Sequence, residues 1–255
     1  MAMTSVDERR EKIVHLVNTA GSVSFGQIKT AFPEVSDMTL RTDLKALDEC
    51  RRIVRIHGGA RSVEFVIGTD DMLDSRSLRN VAAKETIAEK AAALVRSDST
   101  IFLDSGSTTT MVARDLDDQR MLVFTASLTC AMELARLSLA RSIIVGGALN
   151  RFSFSLNGGR TLEDVRGLNF DQFFLGITSY QDDFGFSCGS DEETAVKRAC
   201  IERAEQTVAL MDSSKIGRRS TFQICDLDDV DIIVSDGCLP ESFLHDCARA
   251  GVRVV

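Results

Sequence analysis

Beyond residue 99 the chain repeats a pattern that few folds can satisfy. Short, unbroken apolar runs alternate with longer stretches of helical period. The runs are Thr100–Asp104 (TIFLD), Met121–Thr125 (MLVFT), Ser142–Val145 (SIIV), Gln172–Ile177 (QFFLGI), Thr207–Met211 (TVALM), Asp231–Ser235 (DIIVS) and Val252–Val255 (VRVV). An apolar run this short, without polar alternation, reads as a strand buried on both faces, and such strands belong to parallel sheets covered by helices. Helical stretches over Ser127–Leu137, Asp191–Glu205 and Pro240–Ala250 separate most of them. A further helix is expected over Ser77–Val95, with Val81, Ile87, Ala91 and Leu94 inward. The pattern predicts a doubly wound α/β domain over residues 77–255, in which ligands bind beyond the carboxyl ends of the strands.

The first 67 residues read differently. Asp7–Ala20 carries Ile13, Val14, Leu16 and Val17 at helical spacing, and Gly21 stops it. Ser24 is placed to cap a short helix lined by Phe25, Ile28, Ala31 and Phe32. After the Pro33-Glu34-Val35 turn, Ser36 caps a third helix over Asp37–Glu49 with Leu40, Leu44 and Leu47 inward. Its other face carries Asp37, Thr39, Arg41, Thr42 and Lys45, the short donors and long cations that groove reading and phosphate contact require. Two strands, Ile53–Ile56 and Ser62–Ile67, are expected around His57-Gly58-Gly59-Ala60-Arg61, a hairpin with a cationic tip. A plain three-helix bundle with solvated charges explains the helices equally well. The cluster Arg51, Arg52, Arg55, His57 and Arg61 favours a winged helix-turn-helix over residues 5–67. The polar stretch Gly68–Arg76 (GTDDMLDSR) reads as a linker.

Charge divides the chain at the same place. Residues 1–61 carry 10 Lys and Arg against 8 Asp and Glu, while the remaining 194 carry 20 against 30. Any contact with polyanionic DNA is therefore confined to the N-terminal part. The seven scattered cysteines never fall in a CxxC spacing, which argues against a disulfide framework or zinc site and fits a reducing cytosol. No apolar run approaches the length of a membrane span and no signal-peptide core opens the chain, so a cytoplasmic protein without cofactor or metal is expected.

The strand ends carry the chemistry. At the first, Asp104-Ser105-Gly106-Ser107-Thr108-Thr109-Thr110 combines a carboxylate, a tight turn, and hydroxyls opening a helix, a cradle for an anion. It lacks the GK[ST] of a nucleotide P-loop and the GxGxxG fingerprint. An ordinary capped βα turn remains the competing reading. Thr125-Ala126-Ser127, Val145-Gly146-Gly147 and Met211-Asp212-Ser213-Ser214-Lys215 end other strands on the same rim. Lys197 follows Glu193 by one helical turn, where a solvated i,i+4 pair is the simpler reading.

VSDMTLRTDLKALDE followed by VRIHGGA resembles the N-terminal signature of the DeoR family of bacterial transcriptional regulators, in which a Ser-capped recognition helix precedes a short wing. The chain departs at Thr42, where the family usually has a second arginine. LDSGSTTT, VGGAL, ETAVKR and LMDSSKIG resemble that family's C-terminal sensor domain, which is similar to the ribose-5-phosphate isomerase and CoA-transferase fold group. Ala126 stands where an asparagine often follows Thr125, and Ser179-Tyr180 occupies a loop that is usually glycine-rich.

The resemblance implies a DNA-binding regulator, a repressor of carbohydrate-metabolism genes, controlled by a phosphorylated sugar or related metabolite. Ser36, Thr39, Arg41, Thr42, Lys45, Arg52, Arg55, His57 and Arg61 would meet a double-stranded DNA operator. Asp104, Ser105, Gly106, Ser107, Thr108 and Thr109 would hold the phosphate. Thr125, Gly146, Gly147, Lys197, Asp212 and Lys215 would line the rest of the pocket. A homodimer or homotetramer is expected, because one wing buries too little surface for tight specific binding. The competing reading is a sugar-phosphate isomerase or CoA-transferase-like enzyme carrying a DNA module, with Asp182, Asp183 and Lys197 as an acid–base set.

Overall fold

The computed structural model describes residues 6–20, 22–50, 52–56, 58–61 and 73–255, which divide into two compact units between Thr69 and Asp70. In the first, α1 (Val6–Ala20), α2 (Phe25–Ala31) and α3 (Asp37–Glu49) enclose an apolar core of Ile13, Val17, Ile28, Leu40, Leu44 and Leu47. Both predicted caps form. Ser24 and Gln27 make a reciprocal capping box, and the Ser36 hydroxyl accepts from the Thr39 amide at 3.1 Å. The helices therefore begin where short polar side chains satisfy their first orphan amides.

The wing differs from the expected hairpin. Strands β1 (Ser22–Ser24), β2 (Val54–Ile56) and β3 (Gly59–Arg61) form a three-stranded antiparallel sheet with β3 in the middle. Gly59–Arg61 is thus strand rather than turn, and β1 is a partner that the apolar pattern did not reveal. Three-residue strands are too short to show a period. A Cβ on Gly59 would stand 2.1 Å from the Val23 carbonyl oxygen, so glycine is what lets β3 close on β1. The expected strand Ser62–Ile67 lies outside the described residues.

The second unit is built on a seven-stranded, fully parallel sheet whose strands coincide with the seven apolar runs. They are β4 (Thr100–Leu103), β5 (Leu122–Thr125), β6 (Arg141–Ile144), β9 (Gln172–Gly176), β12 (Thr207–Leu210), β14 (Ile232–Val234) and β15 (Arg253–Val254), in the order β15-β14-β12-β9-β4-β5-β6. The chain winds outward from β4 to β6, then returns to β9 and winds outward the other way. That is a doubly wound α/β fold with its switch point between β4 and β9.

Helices cover both faces: α5 (Val81–Ala92), α6 (Ser107–Asp115), α7 (Leu128–Leu134), α8 (Gly159–Arg166), α9 (Asp191–Arg203) and α10 (Glu241–Ala250). Two apolar clusters result, one around Phe102, Phe170 and Phe173, the other around Ile87, Ile101 and Leu103. Facing residues alternate along each strand, so β4 alone feeds both clusters.

The expected helix over 77–95 is broken. A short helix α4 (Leu73–Ser77) precedes α5, and Asn80 between them holds a left-handed conformation (φ 48°). Residues 73–76 of the expected linker are therefore helical, and Leu73 is buried. The hairpin β7–β8 (Ala148–Asn150, Ser155–Asn157) and the antiparallel sheet of β10 (Ser179–Gln181), β11 (Gly185–Cys188) and β13 (Phe222–Cys225) are additions to the alternating plan.

Candidate functional site

In the first unit, α3 presents Arg41, Thr42 and Lys45 to solvent. The Arg41 guanidinium lies 4.4 Å from the centroid of the Phe25 ring, which aims it without neutralising it. Lys45 has only a loose partner, Glu49 at 3.7 Å. Thr39 shares its hydroxyl with Ser36 at 2.8 Å, and Thr42 donates to the Met38 carbonyl at 2.9 Å. Arg55 is exposed, and its amide donates to the Asp48 carboxylate at 2.9 Å. Arg52 differs from the others. Both of its terminal nitrogens bond Glu11, so its charge is already matched. His57 and the side chain of Arg61 lie outside the described residues.

Two features of this unit escape sequence reasoning. Met38 is 76% exposed at the start of α3. Asp43 is buried between Arg9 at 2.6 Å and Arg10 at 2.9 Å, clamping α3 to α1. An acid beside the apolar stripe of α3 gives no sign, in sequence, of such a distant partner.

In the second unit the switch point brings together the ends of β4 and β9 and the middle of α9. Lys197 pairs with Asp104 across 93 residues of sequence, and both are buried. Asp104 also accepts from the Gly176 amide at 2.9 Å, and the Lys197 ammonium donates to the Gly176 carbonyl at 3.2 Å. Burial alone would depress Lys197. Asp104, then Cys188 and Glu193, outweigh it and raise the amine above its ordinary range, so the lysine keeps its proton. The expectation of a solvated Glu193–Lys197 pair is therefore corrected. Glu193 instead accepts from Ser153, from Ser155 at 3.1 Å and from Asn150 at 3.3 Å. The i,i+4 spacing put both residues on one helix face, and that face turns out to be buried.

Above the pair, Gly106 begins α6 at φ 143°, in a region open to glycine, and gives the helix no side-chain cap. Ser105 and Thr108 are partly exposed, whereas Ser107 and Thr109 are buried. The Thr109 hydroxyl donates to the Gly106 carbonyl at 2.9 Å, leaving that residue's contribution to its amide. Thr125 is also committed internally: it donates to the Leu103 carbonyl and accepts from the Ser127 amide. Gly146 accepts from Thr161 at 2.8 Å. A Cβ on Gly147 would stand 2.1 Å from the Thr161 hydroxyl and 2.6 Å from the Asn157 carbonyl, so this glycine serves close packing against α8 and β8.

On the β12 side of the rim, Asp212 is buried and accepts from Ser214 and from Asn80 at 3.0 Å, with Lys215 at 3.8 Å. Burial alone would raise its carboxyl, but Lys215 and these hydrogen bonds together hold it below its ordinary value. Lys84, which the sequence pattern did not single out, is buried beside them and donates to the carbonyls of Arg76 and Arg79.

Asp182 and Asp183 are exposed on the β10–β11 turn, while the Lys197 amine is held by Asp104 and Gly176. Among the described residues no group of His, Cys, Asp and Glu side chains has the arrangement of a metal site, and no helix is long and apolar enough to cross a membrane.

A three-helix unit with a β wing, followed by a doubly wound α/β unit with a polar switch point, defines a winged-helix regulator with an attached sensor domain. Comparison with known proteins agrees. Residues 9–65 match the DeoR-like helix-turn-helix domain and residues 79–237 the DeoR C-terminal sensor domain. The chain belongs to the DeoR family of DNA-binding transcriptional regulators.

Similar curated proteins include the HTH-type transcriptional regulator GolR of Listeria innocua, 31% identical with 97% of each chain covered. The transcriptional repressor AccR of Agrobacterium fabrum is 32% identical, with 92% of each covered. The putative aga operon transcriptional repressor of Escherichia coli O157:H7 is 29% identical, covering 99% of this chain and 94% of the relative. Among solved structures, ribose 5-phosphate isomerase A of Methanocaldococcus jannaschii is similar at TM-score 0.38 and 18% identity, covering 52% of this chain and 53% of that one.

Proposed function

We propose that the protein is a cytoplasmic repressor of carbohydrate-metabolism genes that releases its operator when a phosphorylated sugar binds the α/β unit. The division into a DNA-binding segment over 5–67, a linker over 68–76 and a sensor over 77–255 is part of this reading. The observation that carries the effector half is the uncapped N-terminus of α6 at the switch point. There the first-turn amides and the helix dipole favour an anion. Asp104 and Lys197 neutralise each other beneath it, so they position the turn. Direct contact falls to Ser105, Gly106, Ser107, Thr108 and the Thr109 amide, with Asp212 and Lys215 toward the sugar. Thr125, Gly146 and Gly147 shape the rim.

On DNA, Arg41, Lys45 and Arg55 supply phosphate contacts, and Ser36, Thr39 and Thr42 orient the start of α3. Arg52, His57 and Arg61 complete the expected set. A module of this size buries about 600–1,000 Å², which points to a homodimer or homotetramer on paired half-sites. Switching the protein from 1:99 to 99:1 requires roughly 10⁴-fold differential affinity, about 5.5 kcal/mol. One helix-dipole contact supplies about 0.3–2 kcal/mol, so several strand-end loops must engage the effector together. Lys197, held by Asp104 and Gly176, is poorly placed for acid–base turnover, which favours a sensor over an enzyme. The names of two repressors among the relatives agree with the sign of control.

The test is fluorescence anisotropy of the full chain on the DNA upstream of its own gene, titrated with a panel of pentose and hexose phosphates. Release by at least one of them is expected. No change in affinity or melting temperature with any member would end the sensor reading.

A further inference from the structure

Where α4 meets α5 and the end of β12, four cations surround one carboxylate. Lys84 is buried within electrostatic reach of Lys215, Asp212, Arg76 and Arg79. Three buried polar atoms here lack any hydrogen-bond partner: Nε and Nη2 of Arg76 and Oδ2 of Asp212. Each such orphan has given up its hydration without gaining a bond, a heavier cost for a charged group. Three in one cluster call for an occupant. The two guanidinium donors form a fork suited to two oxygens of one anion. The Asp212 oxygen, which the Lys215 ammonium approaches only to 3.8 Å, is left for the opposite, a donor such as a hydroxyl.

We propose that Arg76, Lys84 and Asp212 form the recognition end of the effector pocket: α4 packs against α6, so Arg76 and Lys84 join the α6 amides on one phosphate monoester, and Asp212 accepts from a ligand hydroxyl. This deepens the sensor reading and rests on it. A phosphorylated polyol carries both groups, whereas an unphosphorylated sugar lacks the anion and inorganic phosphate lacks the carbon-borne hydroxyls.

Burial, then Lys215, with smaller contributions from Arg76 and Arg79 only partly offset by Asp212, pushes the Lys84 amine down to about 8. A bound dianion reverses that balance and holds the proton on. The site also sits where the linker ends. Lys84 donates to the carbonyls of Arg76 and Arg79, and Arg76 is only seven positions past Thr69. Anion capture at Arg76 thus pins α4, the first described element after the DNA-binding unit.

The experiment titrates sulfate, inorganic phosphate, glucose 6-phosphate and glucose into the full chain and its Arg76→Gln variant by calorimetry, with a thermal melt of each protein alone. Sulfate should bind the parent at pH 7 and weaken about tenfold by pH 9, because the anion keeps its charge while Lys84 loses its proton. Arg76→Gln should weaken sulfate and phosphate by about tenfold or more while melting no lower than the parent, since it removes two buried donors that lack partners. Lys84→Arg, which keeps the charge, should retain binding and lose the pH dependence. Asp212→Asn should weaken glucose 6-phosphate more than sulfate.

Equal anion affinity in parent and Arg76→Gln, or no anion binding by the parent, overturns the proposal. If a sugar phosphate still releases DNA equally from parent and variant, the sensor reading stands and only this site falls.

Discussion

In the N-terminal unit Arg41, Lys45 and Arg55, proposed to meet DNA, are exposed and have weak partners or none strong enough to quench them. In the α/β unit the decisive cations are buried: Lys197 is locked to Asp104, and Lys84 is crowded by like charge. Surface cations attract a polyanion over a distance and tolerate variation in sequence, at the cost of sensitivity to salt. Buried cations are screened little by salt and are held in place, which suits the selection of one small anion. The same residue types thus serve affinity in one region and selectivity in the other.

The largest effect should come from breaking the sealed pair. Lys197→Met leaves Asp104 buried and unmatched and should lower the unfolding free energy by about 3–5 kcal/mol in denaturant titration. Adding Asp104→Asn to that variant should recover much of the loss. If Lys197→Met costs less than a surface ion pair, the contrast between the regions is wrong.

Next comes the pH response of Lys84. Its proton leaves near 8 in the folded chain against 10.5 when unfolded. Between those values the unfolded chain binds the extra proton, so this residue adds stability as pH rises from about 8 to 10.5, by at most about 3 kcal/mol. Lys84→Met should lack that rise, so any lead in melting temperature that the variant holds over the parent should shrink between pH 8 and 10.5.

A smaller effect sharpens the other side. Arg41→Ala and Arg55→Ala should each weaken operator binding and reduce the salt slope by about one, with little change in melting. Arg52→Ala should change binding least of the three, because Glu11 already matches its charge. Its effect on stability should be small, as for other exposed pairs. A larger slope change for Arg52 than for Arg41 would mean that Glu11 lets go on DNA.

Much of this fold was legible beforehand because burial leaves a local trace. Five inner strands buried on both faces and two more-exposed edge strands, β6 and β15, read as seven apolar runs, and Ser24 and Ser36 marked helix starts through capping chemistry. The additions were not legible. Strands β1, β7 and β10 are three residues long, too short for a period, and β1 pairs with a segment remote in sequence. Within the candidate site, Asp104 and the turn after it could be named from the strand–glycine–hydroxyl order. Glu193 and Lys197 were legible only as a helix pair, and Thr125 and Gly147 only as rim residues. Lys84 gave no signal, since a lysine in the first turn of an amphipathic helix looks the same whether it meets water or two carbonyls.

Local pattern by itself therefore settled the two-part plan, the parallel sheet and the cationic character of the helix-turn-helix, because period, capping and charge sums depend on residues near one another in the chain. Only the tertiary structure decided which charges are matched, which are buried and which lack a partner. Those outcomes depend on what packs against each side chain from 40, 93 or 132 positions away, and a short window of sequence holds no record of it.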